Sequence, residues 1–332
     1  MKNNSISEFE RLNLNQFKFL KPRKKINFKI VFYILFFILN LAFILIIIYI
    51  LFLLKKDLLE KILNKPINNN QLIEKLDLID LKLIIMLQNQ KRFKNKRKLN
   101  IYDLIRPMEV LGHKKIRIGR NSDGGYILLD DLKNIKIAYS FGINNEFSFD
   151  KDLSDKNIDV FMYDHTIANI SINNSRLHWK KIGISGLTTK NENMKTLPQL
   201  IKENGHFNEK NMILKIDIES NEWNVFNYLP IYTLKQFKYI VGEFHFSPSK
   251  TYNYYFILKK LQSTHQIFHL HCNTAGILID LDGYKICNSL EISYIIKNGT
   301  KFTIDSSIYP IENLDFKNFQ QNSDINYILN FI

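Results

Sequence analysis

The sequence contains little proline, glycine or cysteine, with 7, 12 and 2 of these among its 332 residues. So few Pro and Gly exclude a collagen-like repeat, and a hydrophobic content of 45% excludes a broadly disordered chain. This length allows one large domain or two small ones with a sizeable core. The two cysteines, Cys272 and Cys287, could pair in an oxidising compartment, and the sequence leaves that pairing open.

Acidic residues are scarce only in the first third of the chain. Residues 1–100 carry 20 Lys and Arg but 7 Asp and Glu, whereas the remaining 232 residues carry 26 and 25. A nucleic-acid-binding domain needs a basic face to neutralise phosphates. The balanced charge after residue 100 therefore argues against a nucleic-acid partner.

One uncharged run, residues 31–54, extends for 24 positions, and Asn40 is its one strongly polar residue. A helix over this run is roughly 36 Å long, enough to cross a hydrocarbon core of about 30 Å. We predict a basic tail at 1–30 and a transmembrane helix at 31–54 that forms an uncleaved signal anchor. A cleaved signal peptide is disfavoured because the run ends in two leucines and two lysines rather than small residues.

Residues 55–100 are predicted to form a helical stem and a hinge. Five apolar residues follow a 4-3-4-3 spacing that lines one side of a helix: Leu72, Leu76, Ile79, Leu83 and Met86. Two heptads are too few to define a coiled coil, so a homodimer through the stem is left open. The basic run 91–98 is interpreted as a solvated hinge, and the globular domain is predicted over 101–332.

Short apolar runs alternate with helical segments in this domain. Strands are predicted at 135–141, 158–163, 178–185, 212–218 and 239–246, and helices at 194–204, 222–228 and 252–261. Pro198 suits only a first turn, which allows the first of these helices to start at Thr196 or Leu197 instead. The alternation predicts an α/β fold with a mostly parallel sheet covered on both faces. Four later runs with an Asp282-Gly283 turn predict antiparallel C-terminal strands, at 266–272, 276–281, 284–287 and 290–296.

Two neighbouring predicted strands end in residues that suit an adenosine ligand. Gly142 ends the first strand and Asp164 ends the second, 22 residues later. A glycine lets the backbone approach such a ligand closely, and a carboxylate about 20 residues further on can accept hydrogen bonds from a ribose. The full Gly-x-Gly-x-x-Gly pattern is absent, so a turn glycine and a turn aspartate are the alternative interpretation.

Ionisable side chains end the next two predicted strands. Asp217 and Glu219 lie two residues apart and project to the same side, and His245 ends the following strand. Such groups cluster in catalytic clefts, so these three are the predicted catalytic residues. His269 and His271 share one face of a later strand and are the candidate ligands of a divalent metal, although spacing identifies no third ligand.

Ten short stretches between residues 116 and 297 form an ordered series: 117–119, 122–126, 139–143, 147–150, 163–166, 195–197, 203–206, 213–219, 222–223 and 243–245. Together they resemble FkbM-type S-adenosylmethionine-dependent methyltransferases and their methyltransferase-like relatives. The resemblance implies a class I, Rossmann-like methyltransferase fold with an antiparallel last strand. The chain departs from the family pattern at Ser220, where relatives usually have glycine, and at 272–274, where Gly-Asn-Asn is common.

The resemblance also implies roles for individual residues. Tyr139, Phe141 and Gly142 would line the S-adenosylmethionine site, and Asp164 would hold the ribose. The methyl group and the acceptor would face three residues: Asp217, Glu219 and His245.

We therefore predict a membrane-anchored methyltransferase that O-methylates a hydroxyl of a sugar or glycan, with Asp217 or His245 removing the hydroxyl proton. One alternative is a type II glycosyltransferase that binds a metal through Asp280 and Asp282, although a solvated turn explains these two more simply. The other is a non-catalytic domain that binds an adenosine ligand.

The predicted orientation comes from the charges beside the membrane span. Eight basic residues precede residues 31–54 and five follow within about 20 residues, which favours a cytoplasmic N-terminus. The C-terminal domain would then be lumenal, in the Golgi or ER of a eukaryotic cell. In a bacterium, the cytosolic supply of S-adenosylmethionine would argue for the opposite orientation.

Overall fold

The computed structural model describes residues 100–168, 170–248, 254–281 and 283–324, together with Phe43, Ile46 and Tyr49. The chain divides into two compact units, Met1–Leu72 and Ile73–Ile332. Residues 1–99 are not described apart from those three positions, so the predicted tail, transmembrane helix and nearly all of the predicted stem lie outside the described residues. Among the described residues, the structure has no helix with the length and apolar character needed to cross a membrane.

Strands and short helices alternate along the described part of the second unit. The strands are β1 (Met108–Val110), β2 (Lys115–Ile118), β3 (Tyr126–Leu129), β4 (Ile137–Phe141), β5 (Asp159–Tyr163), β6 (Leu177–Lys180), β7 (Gly183–Ile184), β8 (Met194–Lys195), β9 (Met212–Ile216), β10 (Phe237–His245), β11 (His265–Cys272), β12 (Leu278–Leu281), β13 (Tyr284–Cys287), β14 (Ser289–Ile296) and β15 (Phe302–Ile304). The helices are α1 (Ile101–Ile105), α2 (Ser148–Asp155), α3 (Leu197–Glu203), α4 (Glu222–Tyr228), α5 (Ile231–Leu234) and α6 (Tyr254–Gln262).

The central sheet has seven strands in the order β11-β14-β10-β9-β4-β5-β6. The neighbours β10 and β9, β9 and β4, β4 and β5, and β5 and β6 are parallel. Strand β14 runs antiparallel to both β10 and β11. The predicted mostly parallel sheet with an antiparallel C-terminal strand is therefore confirmed, whereas β11 runs in the direction of the parallel strands.

Each face of the central sheet packs against its own cluster of buried apolar side chains. In β4, Tyr139 and Phe141 belong to one buried cluster and Ala138 belongs to the other. The same alternation places Leu214 in the first cluster and Ile213 in the second. Each fully buried large apolar side chain stabilises the fold by about 1.5–3 kcal/mol relative to an exposed one. Burial on both faces of the sheet therefore contributes to the stability of the fold.

Local sequence signals explain where the predicted helix at 194–204 begins. Thr196 caps α3 and forms a capping box with Gln199, and Pro198 lies in the first turn. Residues 194–195 instead form β8, which pairs with β7. The predicted strand at 178–185 is therefore wrong as one element, because it splits into β6 of the central sheet and β7 of a small separate sheet.

A disulfide joins Cys272 at the end of β11 to Cys287 at the end of β13, with the Cα atoms 5.9 Å apart. It closes the loop that contains the antiparallel hairpin of β12 and β13, which the sequence predicted. Both cysteines are buried. The loop that the bond closes also supplies Asn273 and Gly276 to the cavity described below.

We expect the double variant Cys272→Ala/Cys287→Ala to lose about 3 kcal/mol of unfolding free energy, the value for a closed loop of 15 residues. The cause is the greater freedom of the unfolded chain once the cross-link is gone. Urea unfolding of the full chain in detergent measures the change. The unsubstituted chain in reductant is the matched control and should lose the same amount; an unchanged midpoint in both would contradict the bond.

Candidate active site

A cavity of about 820 Å³ opens at the carboxyl ends of the central strands. The strand order reverses between β4 and β9, and in open α/β sheets ligands bind at such a reversal point. The cavity is lined by Gly142 and by five ionisable residues at or beside the predicted site positions: Asp164, Asp217, Glu219, Glu243 and His245. The fold thus brings together residues that lie about a hundred positions apart in the sequence.

Gly142 forms a tight turn directly after β4. Its φ is +77°, and its N–H donates to the carbonyl of Tyr163 on β5 at 3.1 Å. A Cβ at this position would lie well under 3.0 Å from the backbone carbonyl oxygen of Asp217. The glycine is therefore required by the close approach of the β9 end, in addition to its place at the cavity wall.

Asp164 holds the turn that follows Gly142. Its Oδ2 accepts hydrogen bonds from the N–H groups of Ile143 (3.0 Å) and Asn144 (2.9 Å), and its Oδ1 accepts from the N–H (2.8 Å) and hydroxyl (2.6 Å) of Thr166. Burial raises the pKa of Asp164, but these hydrogen bonds outweigh burial and lower the pKa below its ordinary value. The ionised carboxylate thus has four donors from the chain itself.

The two predicted aromatic residues of the cofactor site lie in different surroundings. Phe141 lines the cavity and stacks on Tyr163, with ring centroids 5.2 Å apart. Tyr139 is fully buried and is not among the residues that line the cavity. Its hydroxyl instead lies 2.8 Å from Nδ1 of His206 and accepts from the amide of Asn204 at 3.2 Å.

Lys215 is a site residue that we did not predict. It is 5% exposed, and its ammonium donates to the carbonyls of Phe141 (3.3 Å) and Gly142. Burial raises the pKa of Asp150 to about 6, an effect that the nearby charge of Lys215 reduces. A lysine inside the apolar run of β9 was the available signal, because a buried charge needs partners.

His245 lies among three glutamates beside Asp217. Its Nδ1 is 3.3 Å from Oε1 of Glu222, and its Nε2 is 3.4 Å from Oε1 of Glu243 and 3.7 Å from Oε2 of Glu219. Glu222 is fully buried at the start of α4, whereas Glu219 is exposed. We refer to Asp217, Glu219, Glu222, Glu243 and His245 as the acidic cluster.

Two predicted catalytic residues of the acidic cluster, Asp217 and His245, both have a raised pKa. Burial raises the pKa of Asp217 to about 8; the charge of Glu243 adds to this rise, and the charges of Lys215 and His245 oppose it. Burial lowers the pKa of His245, but hydrogen bonds and charge from Glu222 and Glu243 outweigh burial and raise it to about 11. Without a bound cation, His245 is therefore an imidazolium at neutral pH.

A strained turn links the end of β9 to α4. Glu219 and Ser220 have φ values of +55° and +79°, in the region that favours glycine. Glu222 stabilises the turn, because its Oε1 accepts from the N–H groups of Ile218 (2.8 Å) and Ser220 (3.2 Å). The sequence thus has serine at a position where the backbone conformation suits glycine.

We expect Ser220→Gly to raise the unfolding free energy by up to about 1 kcal/mol. Relief of the left-handed conformation contributes about 1–2 kcal/mol, and the added freedom of the unfolded chain offsets about 0.5–1 kcal/mol of it. Urea unfolding of the full chain measures the difference. Ser171→Gly, at an exposed position without positive φ, is the control and should lose stability; equal losses in both variants would contradict the strain.

His269 and His271, the candidate metal ligands, lie on one face of β11 as predicted, and each contacts a carboxylate. Nε2 of His269 is 2.7 Å from Oδ1 of Asp315, and Nδ1 of His271 is 2.9 Å from Oε2 of Glu291 on β14. Burial lowers the pKa of His271, and Glu291 raises it above its ordinary value. Within the described ranges, the groups with metal-ligand spacing do not include either histidine.

Asp280, one of the two candidate ligands of a glycosyltransferase metal, lies on the exposed strand β12. Its Oδ1 accepts a hydrogen bond from the N–H of Gly283 at 2.8 Å, and it is not among the residues that line the cavity. The other candidate, Asp282, lies outside the described residues. The geometry of Asp280 is that of a solvated turn.

A sheet with this strand order and a polar cleft at its reversal point defines the chain as a Rossmann-like α/β protein with a candidate active site. The family model described as a methyltransferase domain matches residues 86–274, more than half of the chain. The chain therefore belongs to the methyltransferase domain family, which confirms the predicted methyltransferase-like family. The comparisons with curated proteins and with solved structures found no match.

Proposed function

We propose that this methyltransferase-family chain uses S-adenosylmethionine to methylate a hydroxyl of a sugar or glycan, as an FkbM-type enzyme. The observation that carries the proposal is the cavity at the strand reversal, which both groups of residues line. The turn of Gly142 and Asp164 lies at its wall, and the acidic cluster contributes Asp217 and His245 to the same cavity. One space thus joins a nucleoside-sized site to ionisable groups.

The cavity fits the proposed cofactor in size and in charge. A volume of about 820 Å³ lies within the range of about 300–1,000 Å³ that is usual for ligand pockets. The exposed carboxylate of Glu219 would favour a positively charged sulfonium. A ribose hydroxyl would have to replace the hydroxyl of Thr166 on Asp164, because that oxygen already accepts two hydrogen bonds.

When bound, S-adenosylmethionine supplies an electrophilic methyl group on a sulfonium. The acceptor oxygen forms a bond to the methyl carbon while the carbon–sulfur bond breaks and a thioether leaves. The hydroxyl proton has to pass to a base, and Asp217 is better suited than His245 in the cation-free chain. Both ring nitrogens of His245 already face glutamates, Glu222 and Glu243, so the ring donates rather than accepts.

Calorimetry of the full chain in detergent tests the cofactor. We expect S-adenosylmethionine to bind and nucleotide sugars not to bind, followed by transfer of labelled methyl groups to a glycan pool. Binding of a nucleotide sugar alone would contradict the proposal in favour of a glycosyltransferase. Cofactor binding without transfer to any glycan pool would instead favour a non-catalytic adenosine-ligand-binding domain.

We also propose that residues 31–54 anchor the chain in a membrane, with the N-terminus in the cytoplasm and the catalytic domain in the lumen. The excess of basic residues before that run supports the orientation. The disulfide between Cys272 and Cys287 supports an oxidising compartment. Protease treatment of sealed vesicles tests this: the domain should be protected, and its digestion without detergent would contradict a lumenal position.

A further inference from the structure

We propose that Asp217, Glu222 and His245 form a binding site for a divalent cation. The three residues come from the end of β9, the start of α4 and the end of β10, which the sheet and the turn at 219–220 bring together. Each offers one ligand atom, and these atoms all lie within 4.8 Å of one another.

The spacing between His245 and Glu222 suits neighbouring ligands of an ion. Their closest atoms, Nδ1 and Oε1, are 3.3 Å apart. A charge-assisted N–H···O bond is shorter, about 2.7–2.9 Å. Adjacent ligands of a six-coordinate ion with metal–ligand distances of about 2.1–2.3 Å are about 3.0–3.3 Å apart. These two atoms form a long hydrogen bond in the cation-free chain, and a shared ion would replace it at nearly the same spacing.

A buried carboxylate oxygen lacks a partner at this place. Oε1 of Glu222 accepts hydrogen bonds from the turn, but its Oε2 is buried and has no hydrogen-bond partner in the described part of the chain. A buried, unpaired charged oxygen is costly. A cation that binds this carboxylate would remove the cost.

A second acidic group, two of whose members line the same cavity, does not need a cation in this way. Asp123, Glu243 and Glu291 also have the spacing of metal ligands. However, Glu243 accepts from the amide of Asn273 and the hydroxyl of Ser289, and Glu291 accepts from the amide of Asn318 and contacts His271. The chain's own donors satisfy that group, so we assign the cation to the first one.

Two carboxylates and one imidazole suit a first-row divalent ion such as Mn²⁺ better than Mg²⁺, which prefers oxygen ligands alone. Asp217 and His245 line the cavity, so the remaining coordination positions would face it. The role of the ion rests on the proposed function: it would bind the acceptor oxygen and lower the pKa of the hydroxyl. Asp217 would then act as a ligand, and the proton would pass to the exposed carboxylate of Glu219.

The test is a Mn²⁺ titration of the full chain in detergent, after EDTA treatment, followed by electron paramagnetic resonance. We expect one Mn²⁺ per chain, displaced by Zn²⁺, which binds imidazole and carboxylate ligands more tightly. Glu222→Gln keeps the oxygen that accepts from the turn but lacks the charge, and His245→Gln lacks the imidazole. Each should weaken Mn²⁺ binding by about 10-fold or more. Far-ultraviolet circular dichroism checks that each variant is folded, and S-adenosylmethionine binding is measured separately without metal.

Asp123→Asn is the matched control, because Asp123 is an exposed member of the second acidic group. It should bind Mn²⁺ as the unsubstituted chain does. No binding by the unsubstituted chain, or a loss in Asp123→Asn without one in Glu222→Gln and His245→Gln, would overturn the assignment. Because cofactor binding is measured separately without metal, a failure of the proposed methyl donor is distinguishable from a failure of the cation site.

Discussion

Gly142→Ala is expected to abolish binding of the methyl donor and to lower the unfolding free energy by about 2–5 kcal/mol, from left-handed strain and overpacking together. A Cβ at residue 142 would overlap the backbone carbonyl of Asp217, which no side-chain rotation can relieve. The ends of β4 and β9 would have to separate. That movement would displace the carbonyl of Gly142 from Lys215 and open the cavity wall. Calorimetry with S-adenosylmethionine and urea unfolding of the full chain measure both effects.

Gly205→Ala is the matched control for this prediction. Gly205 has nearly the same φ, +81° against +77°, but a Cβ there meets no atom within 4 Å. It should lose only the strain of the left-handed conformation, about 1–2 kcal/mol, and should keep cofactor binding. Equal losses of stability and of binding in the two variants would show that the overlap with Asp217 has no role.

The sequence predicted the strands that carry the site because their apolar runs are continuous and bounded. Strands β5 and β9 begin or end within two residues of their predictions. The helix α2 was missed because Phe149 and Leu153 are its two large apolar residues, too few for a periodic signal. The run at 178–185 was wrong as one strand because apolar content does not show where a chain leaves one sheet for another.

Positions in the site were more predictable than contacts. The sequence placed Gly142 and Asp164 at neighbouring strand ends, where the structure has them. It did not show that Thr166 and the backbone N–H groups of the turn donate hydrogen bonds to the carboxylate of Asp164, because these bonds depend on the loop conformation. It also missed Tyr126, whose hydroxyl donates to Oδ2 of Asp217 at 3.2 Å across 91 residues of sequence. Such contacts follow from the tertiary fold and leave no periodic pattern.

The paired histidines show the same limit. Alternation along β11 correctly predicted that His269 and His271 share a face. Their partners, Asp315 and Glu291, lie 46 and 20 residues further along, and spacing alone could not connect them. The cluster with metal-ligand spacing instead includes Glu222, which sequence periodicity assigned simply to a helix.

Asp217→Asn is expected to reduce methyl transfer by about 10²–10⁴-fold while S-adenosylmethionine binding stays measurable. Asparagine has nearly the same shape and keeps an oxygen for the hydroxyl of Tyr126. It has no negative charge, so it can neither take the proton of the acceptor nor hold a cation as strongly. Single-turnover assays with labelled cofactor measure the loss. Undiminished transfer would remove Asp217 from the mechanism.

Two further variants make this result specific. Asp155→Asn, at an exposed position that pairs with Lys151 outside the cavity, should keep full transfer. Glu219→Gln separates the two roles of Asp217. If Asp217 is the base, Glu219→Gln should have little effect, whereas if Asp217 holds a cation and Glu219 receives the proton, it should slow transfer with Mn²⁺ binding unchanged. Measured beside the Mn²⁺ titration, Glu219→Gln therefore shows which carboxylate receives the proton.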